Sequence, residues 1–330
     1  MIVETIHKSL RVALIIPTYN AARNWRALYE GICRQSFTPQ QILVIDSSSS
    51  DGTEALVRDA RFQLIRISQR DFNHGGTRQL AAAYVPDAEI LIYLTQDAVP
   101  FDNDAFSNIL AVFADPMVGA AYGRQLPRLE AGPLESHARF FNYPPISGVH
   151  SFENRKTLGF KAVFASNSFA AYRRSALDQV GGFPLNALVS EETIVFARLQ
   201  RAGWKTAYAA DASVLHSHDY TIGEQFSRYF DIAAGYARES WIEKEYRAPN
   251  SEGRRFVISE IRYLFPWHIH LIPLAVLHTL AKAIGYQLGR REIHLPLVFK
   301  RALSNQKSFW IRTTSTNDHE RSTGEAQVKS

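Results

Sequence analysis

Asp97, His216 and the acid pair Glu191-Glu192 are the residues whose types and settings could do chemistry in this chain. Asp97 follows Ile90 to Leu94, a continuous apolar run of the kind a parallel sheet buries on both faces. One carboxylate there can hold a divalent cation when phosphates and waters fill the rest of its shell. The other reading is a strand-end acid capping the next helix, a place that Asp102 fills better. His216 and His218 stand in His216-Ser217-His218-Asp219-Tyr220. A neutral imidazole is a good metal ligand, and an imidazolium would neutralise phosphate. A zinc site would want a cysteine pair or further histidines at ligand spacing, and none accompanies them. Glu191-Glu192 opens a helix, where a carboxylate can accept a proton from an attacking hydroxyl. The helix macrodipole alone also favours acids in a first turn. Arg78 closes Asn73-His74-Gly75-Gly76-Thr77-Arg78, in which glycines let backbone approach a ligand and the guanidinium suits phosphate. A surface ion pair would use the same arginine.

These side chains need a frame, and the start of the chain supplies it. Val12 to Asn20 and Ile42 to Thr53 are apolar runs that each end in a burst of small polar residues. Between them Trp25, Leu28, Tyr29 and Ile32 recur at helical spacing, so the segment reads as a βαβ unit. Ligands of open α/β sheets bind at the carboxyl ends of strands. Pro17, Thr18, Tyr19, Asn20, Asp46 and Ser48 are therefore expected at the mouth of a nucleotide-sized crevice. Strands are also expected over 62–67, 90–94, 118–122 and 163–172, with short ones at 206–209 and 213–215. Helices are expected from about Asp102 and from Ser190 to about Ala202, where Gly203 stops the second. Residues 124–160, with four prolines, read as irregular.

With 46% hydrophobic and 21% charged residues the chain is an ordinary globular one, and one cysteine, Cys33, excludes a disulfide framework. The amino terminus carries no basic-then-apolar signal pattern, so a cytoplasmic location is expected. Charge is uneven: residues 254–312 hold ten Lys/Arg against Glu260 and Glu292. Aromatic residues are mixed among them, a pattern suited to an anionic membrane surface. No nucleic-acid recognition motif accompanies it. Tyr263 to Ala281 has no Asp, Glu, Lys or Arg, yet Pro266, Pro273 and three histidines weigh against its crossing a bilayer. The expected division is an α/β domain at 1–220, a helical basic and aromatic extension at 221–312, and a disordered polar tail at 313–330.

Ile15-Ile16-Pro17-Thr18-Tyr19-Asn20 and Asp46-Ser47-Ser48-Ser49-Ser50-Asp51-Gly52-Thr53 together resemble the start of a family-2 glycosyltransferase. Further motifs follow in family order to about residue 220. The resemblance implies a GT-A fold, a mixed α/β sheet flanked by helices, and a nucleotide-sugar donor. It gives Asp46 to the pyrimidine ring, Gln96 and Asp97 to the donor, and Asp97 with His216 to Mg²⁺ or Mn²⁺. The family's usual Asp-x-Asp is Thr95-Gln96-Asp97 here, so its first carboxylate is missing. Glu191-Glu192 resembles the family's Glu-Asp pair, with Glu192 in the place of the catalytic base. Phe164 to Arg174 resembles the acceptor-side strand, where Ser166 and Asn167 would meet sugar hydroxyls. Thr-Gln-Asp-Ala, Phe-Asn-His-Gly-Gly-Thr-Arg and His-Ser-His-Asp-Tyr-Thr look most like bacterial rhamnosyltransferases. That implies an inverting transfer of L-rhamnose from dTDP-L-rhamnose to a glycan or polyprenol-linked acceptor.

Rival readings are another nucleotide sugar such as a UDP-hexose, or a non-catalytic glycan or membrane scaffold on the same fold. A dehydrogenase would want Gly-x-Gly-x-x-Gly after the first strand, where Pro17-Thr18-Tyr19-Asn20 stands instead. A nucleotidyltransferase would want a Gly-rich basic loop at that place.

Overall fold

Alternate residues of Val12–Thr18 feed two different cores. Ala13 and Ile15 point to one face of the sheet, Val12, Leu14 and Ile16 to the other. In the computed structural model, which describes residues 10–247 and 252–311, this strand lies inside a nine-stranded mixed sheet. The first half is parallel: β1 (Val12–Thr18), β2 (Gln41–Asp46), β3 (Gln63–Arg66) and β4 (Ile90–Leu94). Helices α1 (Ala22–Cys33), α2 (Thr53–Asp59) and α3 (His74–Ala83) join them.

The second half is built from β5 (Val99–Pro100), α4 (Ala105–Ala111), β6 (Val118–Leu126), α5 (Pro133–Asn142), β7 (Gly148–His150) and the single turn α6 (Arg155–Leu158). It continues with β8 (Phe169–Arg173), α7 (Arg174–Gln179), α8 (Glu191–Arg201) and β9 (Lys205–Leu215). Strand order is β3-β2-β1-β4-β8-β6-β9-β5, with β7 on β9. The chain runs from β1 out to β3 and returns to β4 on the other side of β1, which makes the carboxyl ends of β1 and β4 the switch point.

Three elements differ from the sequence reading. Residues 163–168 form a loop, and only Phe169–Arg173 pairs as β8. The buried Val163 and Ala165 give that loop a strand-like pattern. The stretch read as irregular holds the end of β6 and all of α5; Pro133 sits at the first position of that helix, where its missing N–H costs nothing. The two short strands expected at 206–215 are one strand, β9, with a shift of register where Gly123 meets Ala209 and Arg124 meets Ser213.

The described residues divide into two compact units, 10–219 with 241–247 and 252–272, and 220–240 with 273–311. Residues 241–247 and 252–272, read from sequence as part of the extension, group with the first unit: Ile242 of α10 (Ser240–Glu245) and Tyr246 just after it are buried in its core. In the same unit α11 (Glu252–Leu264) meets α5, where Ser259 Oγ lies 2.9 Å from His137 Nε2.

The second unit is helical. It holds α9 (Ile222–Arg238), which carries a capping box of Thr221 and Glu224, α12 (Ile272–Gly289) and α13 (Leu297–Leu303). Glu292, buried there, takes Arg238 at 2.9 Å and Lys300 at 2.6 Å. The tail at 313–330 lies outside the described residues.

Candidate active site

Parallel pairing of β1 with both β2 and β4 sets Thr18, Asp46 and the Thr95–Ala98 turn at one edge of the sheet. Tyr19 and Gln96 close the gap between β1 and β4: the Tyr19 N–H donates to Gln96 Oε1 at 2.7 Å, and Gln96 Nε2 donates to the Tyr19 carbonyl at 3.0 Å. Gln96 thus ties two strand ends together. The Tyr19 ring remains 42% exposed, and Asn20 beside it is exposed in left-handed backbone at φ 49°. Asn20 Oδ1 accepts from the Ser50 N–H, which pins it to the second loop. Ser48, also left-handed at φ 61°, donates its hydroxyl to the Ile67 carbonyl.

Asp46, expected on the donor's pyrimidine ring, is held from within by its neighbours. It has no exposed surface, because Thr18 Oγ1 (2.8 Å), Ser49 Oγ (2.6 Å) and the Ser49 N–H (2.8 Å) all donate to its carboxylate. Its charge shapes the two loops from within. Pro17 stays inside β1, half-buried and paired with Ile45.

Asp97, His216 and His218 form a triangle. Asp97 Oδ2 lies 3.4 Å from His216 Nε2 and 3.0 Å from His218 Nε2, and the two nitrogens are 3.2 Å apart. Ligands about 2.1 Å from one ion and at right angles around it stand about 3 Å apart, so the three atoms match one face of a coordination shell. The donor chemistry agrees. His216 Nδ1 lies 2.9 Å from Gln125 Oε1, and the same oxygen accepts from Arg139 Nη1. Arginine only donates, so the oxygen end of the amide faces both partners and His216 Nδ1 must carry the proton. A neutral His216 then turns a lone pair at Nε2 toward the Asp97 carboxylate. Burial keeps the ring neutral by pushing its pKa down, with Asp97 opposing. For Asp97 burial pushes the carboxyl up, but the side chains beside it, His216 and His218 first, override that and hold the carboxyl well below the usual range. An anion facing a lone pair calls for a positive centre between them, and a divalent cation fits.

Three consecutive residues link this triangle to the acid pair. Ser166 Oγ accepts from Gln125 Nε2 at 2.7 Å, and Ser168 Oγ lies 3.5 Å from His216 Nε2. Between them Asn167 donates to Glu191 Oε1 at 2.9 Å and accepts from the Tyr172 hydroxyl at 2.6 Å. Ser166 and Asn167, expected on the acceptor, serve as braces, and Asn167 is buried.

Glu191 and Arg78 also have a different use from the one expected. Arg78 Nη1 pairs with Glu191 Oε1 at 2.8 Å, with side chains only 7% and 4% exposed. Burial pushes the Glu191 carboxyl up, yet Arg78, with His74 and Asn167, holds it below its ordinary value. Gly75 lets α3 lie against the turn before α8, since a Cβ there would strike the Pro184 carbonyl. The glycines therefore serve packing. Arg78→Met is expected to cost about 3–5 kcal/mol of stability by stranding a buried carboxylate, read by urea denaturation at neutral pH. In the unaltered protein the depressed Glu191 contributes stability that is present above the ordinary glutamate range and is lost as the pH falls below it. Arg78→Met should flatten that acid limb, and a midpoint within error of wild type would show the pair to be dispensable. Glu192, the next residue on α8, is half-buried at the helix mouth.

The sequence reading passed over Gln125, Arg128 and Arg139, all in the stretch taken as irregular. Arg128 Nη2 donates to the Asp97 carbonyl at 2.5 Å, which sets a guanidinium beside the triangle. Arg139 is gripped by Glu135 at 2.6 Å. A proline at a helix start was the available signal for α5.

Residues 13–181 match Glycosyl transferase family 2. The chain is 45% identical over 302 residues to the O-antigen chain rhamnosyltransferase RfbN of Salmonella typhimurium, covering 91% of this chain and 96% of that one. It is 44% identical over 298 residues to the O-antigen chain rhamnosyltransferase WbaN of Salmonella anatum, covering 90% and 95%. Among solved structures, the mannosyltransferase PcManGT of Pyrobaculum calidifontis, in complex with GDP-Man and Mn²⁺, superposes with a TM-score of 0.54 at 18% identity over 93% of this chain and 87% of that one. S. aureus TarS 1–349 in complex with UDP gives 0.51 at 13% identity over 86% and 91%. At such identities these likenesses show the fold, a GT-A sheet with a C-terminal helical extension.

Proposed function

The chain belongs to glycosyl transferase family 2 and is a glycosyltransferase, and from that premise we propose that it moves L-rhamnose from dTDP-L-rhamnose onto a lipid-linked surface glycan at the cytoplasmic face of the plasma membrane. The sugar follows the two rhamnosyltransferase relatives, which match nine-tenths of the chain. One observation carries the chemistry: the Asp97–His216–His218 triangle is tied through Ser166, Asn167 and Ser168 to the helix that carries Glu192.

In this reading Tyr19 and Asn20 meet the nucleotide at the switch point, and Asp46, Ser48 and Gln96 hold the loops that shape its seat. Glu192 accepts the proton of the acceptor hydroxyl as that oxygen bonds to the anomeric carbon. The anomeric carbon's bond to the diphosphate oxygen breaks, the electron pair leaves with the nucleoside diphosphate, and the configuration inverts. Asp97, His216 and His218 would hold Mg²⁺ or Mn²⁺, which when bound supplies positive charge to the leaving diphosphate. Arg128 adds a fixed positive charge beside it. Glu191 and Arg78 hold the mouth of α8 in place and take no part in the proton transfer.

The test is a thermal-shift panel of dTDP-, UDP- and GDP-sugars with and without Mn²⁺. The expected result is the largest stabilisation with dTDP-L-rhamnose plus metal, on the order of 2.7 kcal/mol at a hundred times its dissociation constant. Larger stabilisation by a UDP-sugar would overturn the choice of donor. Absence of any donor hydrolysis would favour the scaffold.

A further inference from the structure

Helix α12 carries the strongest unexplained surface among the described residues. Ile269–Gly289 is long and apolar enough to cross a membrane by length and composition. One of its faces is small: Ala281, Gly285 and Gly289 are buried. A Cβ at Gly285 would strike the carbonyl oxygen of Phe226, and one at Gly289 that of Phe230. The backbones of α12 and α9 therefore touch, and the two helices form a unit. The other face is greasy and open: Leu277, Leu280 and Ile284, at spacings of three and four, are 49%, 52% and 54% exposed. On α13, Val298 and Phe299 are exposed as well.

Along α12 and α13 the charge is nearly all of one sign. From 273 to 311 the sequence has six Lys/Arg and one acid, Glu292. That acid is buried and already held by Arg238 and Lys300. Arg291, Arg301 and Lys307 are exposed. An apolar stripe flanked by cations, with no exposed carboxylate between residues 273 and 311, complements an anionic lipid surface.

Crossing the bilayer is a different matter. Because α9 is locked to α12 through Gly285 and Gly289, a spanning α12 would draw in α9 with Glu224, Arg228, Asp231 and Arg238. Charges on that companion helix oppose burial in hydrocarbon. We infer that α12 and α13 form a docking surface that lies in the headgroup layer of an anionic bilayer, with Leu277, Leu280 and Ile284 dipping into the acyl boundary and Arg291 and Arg301 on lipid phosphates.

This deepens the proposed function by naming how the enzyme meets a lipid-linked acceptor. Its test uses the full chain with vesicles of phosphatidylcholine alone and of an equal mixture with phosphatidylglycerol. Co-sedimentation is expected with the mixture, weakening as salt rises. Arg291→Glu with Arg301→Glu should lower that affinity by about tenfold or more, from about fivefold per cation removed. Leu280→Ser with Ile284→Ser should lower it on both vesicles. Both variants sit on exposed positions outside the site, so donor hydrolysis in solution should match wild type and report an intact fold. Equal binding to both vesicles, with no loss on charge reversal, would overturn the inference. So would protein that only detergent, and not high salt, removes from membranes, or a dimer that the Leu280 and Ile284 changes dissociate. Failure to bind vesicles alongside intact rhamnosyl transfer sinks the docking surface alone. Vesicle binding without transfer sinks the proposed function alone.

Discussion

Glu192→Gln is expected to lower turnover by about a hundredfold to ten-thousandfold, the usual contribution of a positioned general base, while donor affinity stays near wild type. The amide keeps the size and polarity of the side chain but cannot take a proton from the attacking hydroxyl. The neighbouring acid is the natural competitor for this role, and its surroundings argue against it. Glu191 is only 3% exposed, and its Oε1 is engaged by both Arg78 and Asn167. Those partners stabilise the anion, which makes Glu191 a weaker base and deprives it of a free approach to an acceptor. Glu192 stands one residue later, about 100° around the helix, and is half-buried. In the proposed function the pair divides the work: one carboxylate anchors the start of α8 and the other takes the proton. Steady-state transfer rates and calorimetric donor titrations separate the two. Glu191→Gln should lower stability, and Glu192→Gln should spare stability and lower kcat. A Glu192→Gln enzyme with undiminished kcat would remove the base from this position.

Much of the frame could be read before any coordinates, and the reason is physical. The continuous buried runs of Val12–Thr18 and Ile90–Leu94 and the polar bursts that follow fix where strands end, and strand ends fix where a site forms. Side-chain direction inside those bursts is less legible. Asp46, Gln96, Asn167 and Arg78 have the chemistry of ligand contacts, yet each spends its hydrogen bonds on a neighbouring loop or helix. A buried loop polar group must find partners somewhere, and a single sequence does not say whether the partner is protein or ligand. The converse holds for Gln125, Arg128 and Arg139. Their positions relative to Asp97 and His216 depend on the end of β6 and on α5, which four prolines across 124–160 hid. His216 and Asp97 were visible because each follows a strand. Their partnership came only from the family resemblance, since β9 and the end of β4 are far apart in the chain.

Loss of the metal response is the other large expected effect. Asp97→Ala should abolish it and lower transfer by about a hundredfold or more, because the triangle would lose its only anion and with it the charge that offsets a cation. His216→Ala should do nearly as much, since the orientation of its Nε2 is set by the buried Gln125. Gln125→Leu then becomes informative without touching the triangle. It removes the acceptor that holds the His216 proton on Nδ1, and loss of such an orienting partner lowers metal affinity by about 10- to 100-fold. Gln125→Glu keeps an acceptor for both His216 and Arg139 and should restore most of it. Manganese binding followed by electron paramagnetic resonance, with no donor present, reads these effects apart from turnover. If Asp97→Ala leaves that titration unchanged, the triangle is a hydrogen-bonded brace like the one around Glu191. Positive charge for the diphosphate must then come from arginines such as Arg128.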